Sequence, residues 1–288
     1  MEKLWNKEVE QRFFNEATQF ATPEQLFYVA DNDKYLAYWP KGYDGKKSTL
    51  QSRNALIGSF TEKWTTDLIQ ETVKEKGLFA VQGAICNEIA LSNMSPADVV
   101  ISKNNNLNQN PEDILAIIEV KMSIVWNWEL QKNKLICIGD YKTHQGNPGL
   151  LRSDSMLKAI GKSINIRVSS SKASQIPIVI MGNTPITNSY YSKVDHLKSA
   201  GIIQGFWSVN PQPLDNDGEN IKKTDKQGFY RFDSFNELKN AFANLLSEER
   251  NYFSSMKSKK ELGQIIEKAN KEQTYEKKAE VFLKLINE

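Results

Sequence analysis

The apolar positions of this chain follow two kinds of spacing. Between residues 52 and 76, Leu56, Phe60, Trp64 and Leu68, with Val73 beyond them, recur at helical steps, and Gly77 stands where such a helix would stop. A second helix is predicted from Ser153, placed to cap it, with Met156, Ile160, Ile164 and Val168 as its apolar stripe. Other apolar runs lack that period and read as strands: 98–101 after Pro96, 114–124, and 177–181. The run at 114–124 is the kind buried on both faces. Residues 7–30 read as short helices and 31–48, broken by Pro and Gly, as a loop, while 78–91 fits strand or helix equally. Loops are predicted at 103–111 and 139–151, a helix at 189–200 and a last strand at 201–209. From residue 233 onward the pattern is helix only: Phe235, Leu238 and Phe242 mark one helix, Leu262, Ile265 and Ile266 a second, and Val281, Leu283 and Leu285 a third. The predicted fold is therefore α/β, a mixed central sheet flanked by helices, with a helical C-terminal extension. The chain divides into an N-terminal helical and loop extension (1–51), a core (52–210) and a helical C-terminal region (211–288).

Composition narrows the class. At 288 residues, one or two domains are expected. With 40% hydrophobic and 25% charged residues, wholesale disorder is excluded. A net charge of +2 gives no gross pointer to nucleic acid or membrane. Two cysteines and two histidines are too few for a disulfide framework or a His-rich zinc site, so a reducing, cytoplasmic compartment is expected. No apolar stretch approaches the ~20 residues of a membrane helix, and the N-terminus carries no apolar export segment.

The candidate chemistry lies where charges interrupt apolar strands. Strand side chains alternate faces, so Glu119 and Lys121 point one way and Val120 the other. Charges inside such a run are costly unless paired or bound to a metal. Asp98 opens the preceding strand, and the gap to Glu119 suits two adjacent antiparallel strands joined by the Asn-rich loop. Two carboxylates side by side repel unless a cation lies between them, and oxygen ligands favour a hard ion such as Mg²⁺.

Asp98, followed by Glu119-Val120-Lys121 at the end of an apolar strand, resembles the PD-(D/E)xK signature of the restriction-endonuclease-like nucleases, with Ala97 inserted between Pro96 and the aspartate. The order of helix, strands, helix and strand over 52–209 is similar to that family's αβββαβ core. The resemblance implies that Asp98, Glu119 and the Val120 carbonyl hold Mg²⁺, with Glu62 on the preceding helix as a supporting or second-metal ligand. It implies that Lys121 positions or helps deprotonate the attacking water, leaving a 5′-phosphate and a 3′-hydroxyl. No G-x-x-x-x-G-K-[ST] sequence occurs, and the chain is longer than the bare core, so a stand-alone, site-specific enzyme like a type II restriction endonuclease is favoured. Double-stranded DNA would be its partner, with a homodimer for a palindromic target and a cognate DNA methyltransferase as companion. The alternatives are a repair or junction-resolving nuclease, or a non-catalytic DNA-binding protein on the same fold. Candidate DNA contacts are Ser155, Lys158 and Lys162 on the polar face of the second helix, His144 in the loop before it, and Lys46, Lys47 and Arg53, which follow an aromatic-rich segment. Trp126 and Trp128 share the parity of Val120 and are assigned to the core.

Overall fold

The computed structural model describes residues 3–30, 34–46, 48–215, 220–247, 250–251 and 257–287. In chain order the elements are α1 (Lys7–Ala17), α2 (Pro23–Leu26), β1 (Tyr28–Val29), β2 (Tyr35–Leu36), α3 (Gln51–Val73), β3 (Phe79–Gln82), β4 (Val99–Ser102), β5 (Ile114–Lys121), β6 (Asn127–Gln131) and β7 (Lys134–Gly139). There follow α4 (Ser153–Ser169), β8 (Ile178–Gly182), α5 (Tyr191–Ser199), β9 (Gly205–Ser208), β10 (Phe229–Arg231), α6 (Phe235–Leu246), β11 (Arg250–Asn251), β12 (Lys257–Ser258), α7 (Lys259–Ala269) and α8 (Tyr275–Asn287).

Six strands form the main sheet in the order β10-β9-β8-β5-β4-β3. The pairs β3/β4 and β4/β5 are antiparallel, whereas β5, β8, β9 and β10 run parallel, so the sheet is mixed and changes character at β5. Alternation along β5 separates two apolar layers. Ala116, Ile118 and Val120 join α3 through Ile57, Trp64 and Leu68, and join α6 through Leu238 and Phe242. Ile117 joins α4 through Met156, Ala159 and Ile166. Helices therefore cover both faces, and β5 is buried on each.

Several sequence expectations need correction. The buried face of α4 is Met156, Ala159, Ser163 and Ile166, while Ile164 and Val168 are 41% and 75% exposed. Steps of four residues drift about 40° each at 3.6 residues per turn, so a stripe from 156 to 168 winds off the contact face. Small Ala and Ser side chains hold the true face instead. Arg152, not Ser153, occupies the cap position of α4, and it makes no side-chain capping hydrogen bond. β10 follows β9 in the sheet, so the strand at 201–209 is not the last, and the region beyond 233 holds the short β11/β12 pair as well as helices.

A second sheet, β1-β2-β6-β7, takes β1 from the end of 7–30, read as short helices, β2 from 31–48, read as a loop, and β6 and β7 from 127–139, where no strands were assigned. Its β6/β7 hairpin turns through Lys132 and Asn133, both at positive φ. That is the backbone of a two-residue hairpin without its usual Asn-Gly sequence.

Glu10 on α1 is fully buried and ties the N-terminus to the chain just past β5. Its carboxylate accepts from Trp5 Nε1 (3.1 Å), Val125 N (2.6 Å), Trp126 N (3.2 Å) and Trp128 Nε1 (2.9 Å). Burial pushes its pKa up to about 7 despite these four donors. Trp126 and Trp128 are buried in the core, as their parity predicted. No helix among the described residues is long and apolar enough to cross a membrane.

Candidate active site

The antiparallel register pairs Val99 with Ile118, so one step further Asp98 lies across from Glu119. By alternation both share the face of Val100 and Ile117, which is the face α4 covers. Asp98 Oδ2 accepts a 2.7 Å hydrogen bond from Val120 N, which fixes its carboxylate against the end of β5. Lys121 Nζ donates to Glu119 Oε1 at 2.6 Å and to the Val120 carbonyl at 3.0 Å, and lies 3.6 Å from Asp98 Oδ2. The three residues of the strand-end signature thus converge as the spacing predicted.

Lys162 joins them. From α4 its Nζ reaches Asp98 Oδ1 at 3.1 Å and Glu119 Oε2 at 2.6 Å, which removes it from the outward polar face assigned to it from sequence. Burial alone would lower its pKa, but the charges of Asp98 and Glu119 reverse that and hold it above the ordinary lysine value. Two carboxylates and two ammonium groups form a locally neutral quartet. Glu119 Oε2 is buried, with the Lys162 ammonium at 2.6 Å as its partner.

Glu62 stands half-buried on α3, on the other side of the sheet edge, where it accepts from Gln82 Nε2 at 3.3 Å. Burial first, then the negative charge of Asp98, raises its pKa above the usual carboxylate value; Lys121 and Gln82 pull the other way. Glu62 therefore feels the cluster electrostatically from its margin. Gln82, its partner, escaped the sequence analysis because 78–91 had no decisive period.

The chain after Lys121 is held rigidly. Asn183, fully buried after β8, accepts from Ser123 N (3.2 Å) and donates to the Ser123 carbonyl (2.7 Å). Gly149, at φ +53°, passes so close that a Cβ there would lie 2.9 Å from Thr184 Oγ1 and 3.2 Å from the Lys121 carbonyl.

The expected DNA contacts divide. Lys158 and Lys46 are exposed and Ser155 is half-buried. Lys47 lies outside the described residues. His144 is not a surface residue: it is 2% exposed, stacked on Tyr38 at 3.9 Å, with Nε2 3.2 Å from the Val125 carbonyl, and burial lowers its pKa. Arg53 is 4% exposed and bonds the carbonyls of Leu26 and Ala37, so it is no exposed backbone clamp. Both belong to the aromatic packing of the second sheet.

Among the described residues no three His, Cys, Asp or Glu side chains come together as a metal-binding group. The donors present are two facing carboxylates and a backbone carbonyl, all now engaged by the Lys121 and Lys162 ammonium groups. That set suits Mg²⁺, which is commonly held by one or two carboxylates together with water and substrate phosphate. No family model, curated protein or solved structure matches the chain.

Proposed function

We propose that the chain is a Mg²⁺-dependent endodeoxyribonuclease of the PD-(D/E)xK kind, cutting double-stranded DNA at a specific site as a type II restriction enzyme does. The observation that carries this reading is the meeting of Asp98 and Glu119 across one antiparallel strand pair with Lys121 between them. The succession α3-β3-β4-β5 and, after the β6/β7 hairpin of the second sheet, α4-β8 supports it, with residues 52–210 as the nuclease core and 1–51 and 211–288 as its flanks. The proposal extends to a cytoplasmic homodimer with a cognate methyltransferase.

Asp98, Glu119 and the Val120 carbonyl would hold the cation, which supplies Lewis-acid stabilisation of the phosphate and an acidified water. Lys121, an ammonium donating to Glu119, would position the attacking water and help its deprotonation by stabilising the hydroxide, the proton passing to bulk solvent, while the Asp98–Val120 N bond keeps the strand end fixed. Lys162 turns away from the carboxylates as substrate enters and meets a phosphate oxygen in their place. In-line attack leaves a 5′-phosphate and a 3′-hydroxyl.

The same quartet favours one other reading, a non-catalytic DNA-binding protein in which Lys121 and Lys162 permanently replace the metal. Incubation of phage DNA with the protein and Mg²⁺, followed by sequencing of the ends, separates the two. Discrete 5′-phosphorylated fragments are expected. Asp98→Ala and Lys121→Ala should each lower cleavage by several orders of magnitude while the protein stays folded by circular dichroism. Wild-type protein that cuts no duplex, branched or damaged DNA sinks the nuclease reading.

A further inference from the structure

A cavity of about 420 Å³ opens between the second sheet, the start of α3 and the segment leading into α4. That volume suits a ligand of nucleotide size. Among the described residues its lining holds no acidic side chain, two arginines (Arg53, and Arg152, whose Nε and Nη2 donate to the neighbouring Asp154 at 3.0 and 2.7 Å), and neutral amides and hydroxyls such as Asn54 and Ser123. Ser123 is two residues past Lys121, so its Cα is within about 7 Å of the lysine's.

Behind the cavity runs a ladder of rings. His144 stacks on Tyr38, the Arg53 guanidinium lies 5.1 Å from the Tyr38 ring and 5.4 Å from Tyr28, Tyr28 stacks on Trp39 at 5.3 Å, and Trp39 on Tyr43 at 4.0 Å. Arg53 is buried and pairs with no carboxylate among the described residues, and a buried charge without a counter-ion attracts an anion. Two lining residues hold buried polar atoms without a partner, Trp39 Nε1, a donor, and Gln145 Oε1, an acceptor. A ligand that satisfies all of these has a negative group and a polar edge bearing both an acceptor and a donor.

We propose that this cavity binds a single nucleotide, its phosphate toward Arg53 and, in exchange for Asp154, toward Arg152, with its base edge reaching Trp39 Nε1 and Gln145 Oε1 once side-chain rotation uncovers them. The nucleotide is either free in solution or swung out of a DNA strand held at the candidate active site; the second source rests on the nuclease reading. Calorimetric titration of the full chain with dAMP, dCMP, dGMP, TMP and inorganic phosphate tests the shared chemistry. At least one mononucleotide should bind wild type and Asp98→Asn alike and bind more tightly than phosphate. Trp39→Phe and Arg152→Ala, each with an unchanged melting temperature, should bind it roughly tenfold more weakly, as loss of one hydrogen bond to a charged or buried group implies.

Duplexes carrying 2-aminopurine then assign the source. A fluorescence rise with wild type but not Trp39→Phe shows a base drawn from DNA, and a flat signal beside mononucleotide binding shows a free nucleotide. The proposal is overturned if no mononucleotide binds and 2-aminopurine stays dark, or if both variants bind as wild type does. Nucleotide binding without cleavage of any DNA would leave the cavity assignment standing and remove the nuclease; cleavage without nucleotide binding would do the reverse.

Discussion

Lys162 occupies the oxygens a divalent cation would use, 3.1 Å from Asp98 and 2.6 Å from Glu119. Removing its ammonium takes away a competitor for those oxygens. Lys162→Met should therefore bind Mg²⁺ more tightly than wild type, read as a larger rise in melting temperature at a given Mg²⁺ concentration. An equal or smaller rise would mean that Lys162 does not guard the cation position. The meeting of Asp98, Glu119 and Lys121 was legible because a period of two fixes which side chains share a face, and the strand pairing places Asp98 opposite Glu119. Lys162 was legible only as one of three polar residues on a helix face. Nothing in a helical period tells a lysine that faces water from one that reaches a sheet end. Arg53 and His144 were misplaced for a related reason: loop and helix-start positions read as exposed, and only the second sheet, invisible in the pattern, buries them.

At the scale of elements, two joints fix the strand end that carries Glu119 and Lys121. α1 is pinned by Glu10, whose four N–H partners come from three separate positions of the 125–128 segment and from Trp5. Glu10→Gln turns an acceptor into a donor among donors and should cost about 2–3 kcal/mol in urea unfolding. Because burial raises the folded pKa of Glu10 from 4.5 to about 7, its contribution to stability is fully present below 4.5 and is lost as pH rises through about 7. The stability of wild type minus that of Glu10→Gln should accordingly fall between those two values; a flat difference would place the carboxyl at an ordinary pKa.

The other joint is Gly149, between β7 and α4. Ala there meets both the left-handed φ and Thr184, and should cost about 1–3 kcal/mol while displacing the Lys121 carbonyl. A thermal melt of Gly149→Ala indistinguishable from wild type would contradict this. β4, β5, β8 and β9 of the main sheet were readable from the pattern because they are continuous apolar runs, whereas β3 fell in the undecided 78–91 and β10 was not assigned. The β6/β7 hairpin was not readable, since its turn is Lys-Asn, β6 runs from buried to half-buried and β7 alternates exposed with half-buried positions.

Across the whole molecule, a net charge of +2 conceals strong local arrangements: a neutral quartet at the end of β5 and an acid-free cavity beside it. Composition could not reveal either, because both depend on which residues the mixed sheet and α4 bring together. The quartet also bears on how the protein folds. With its carboxylates already matched by two lysines of its own chain, it needs no divalent cation to offset its charge, so folding should proceed without one. Purified in a chelating buffer, the protein should melt at the same temperature as in buffer merely freed of metal, and a drop of several degrees would show that some cation is a structural part of the native state.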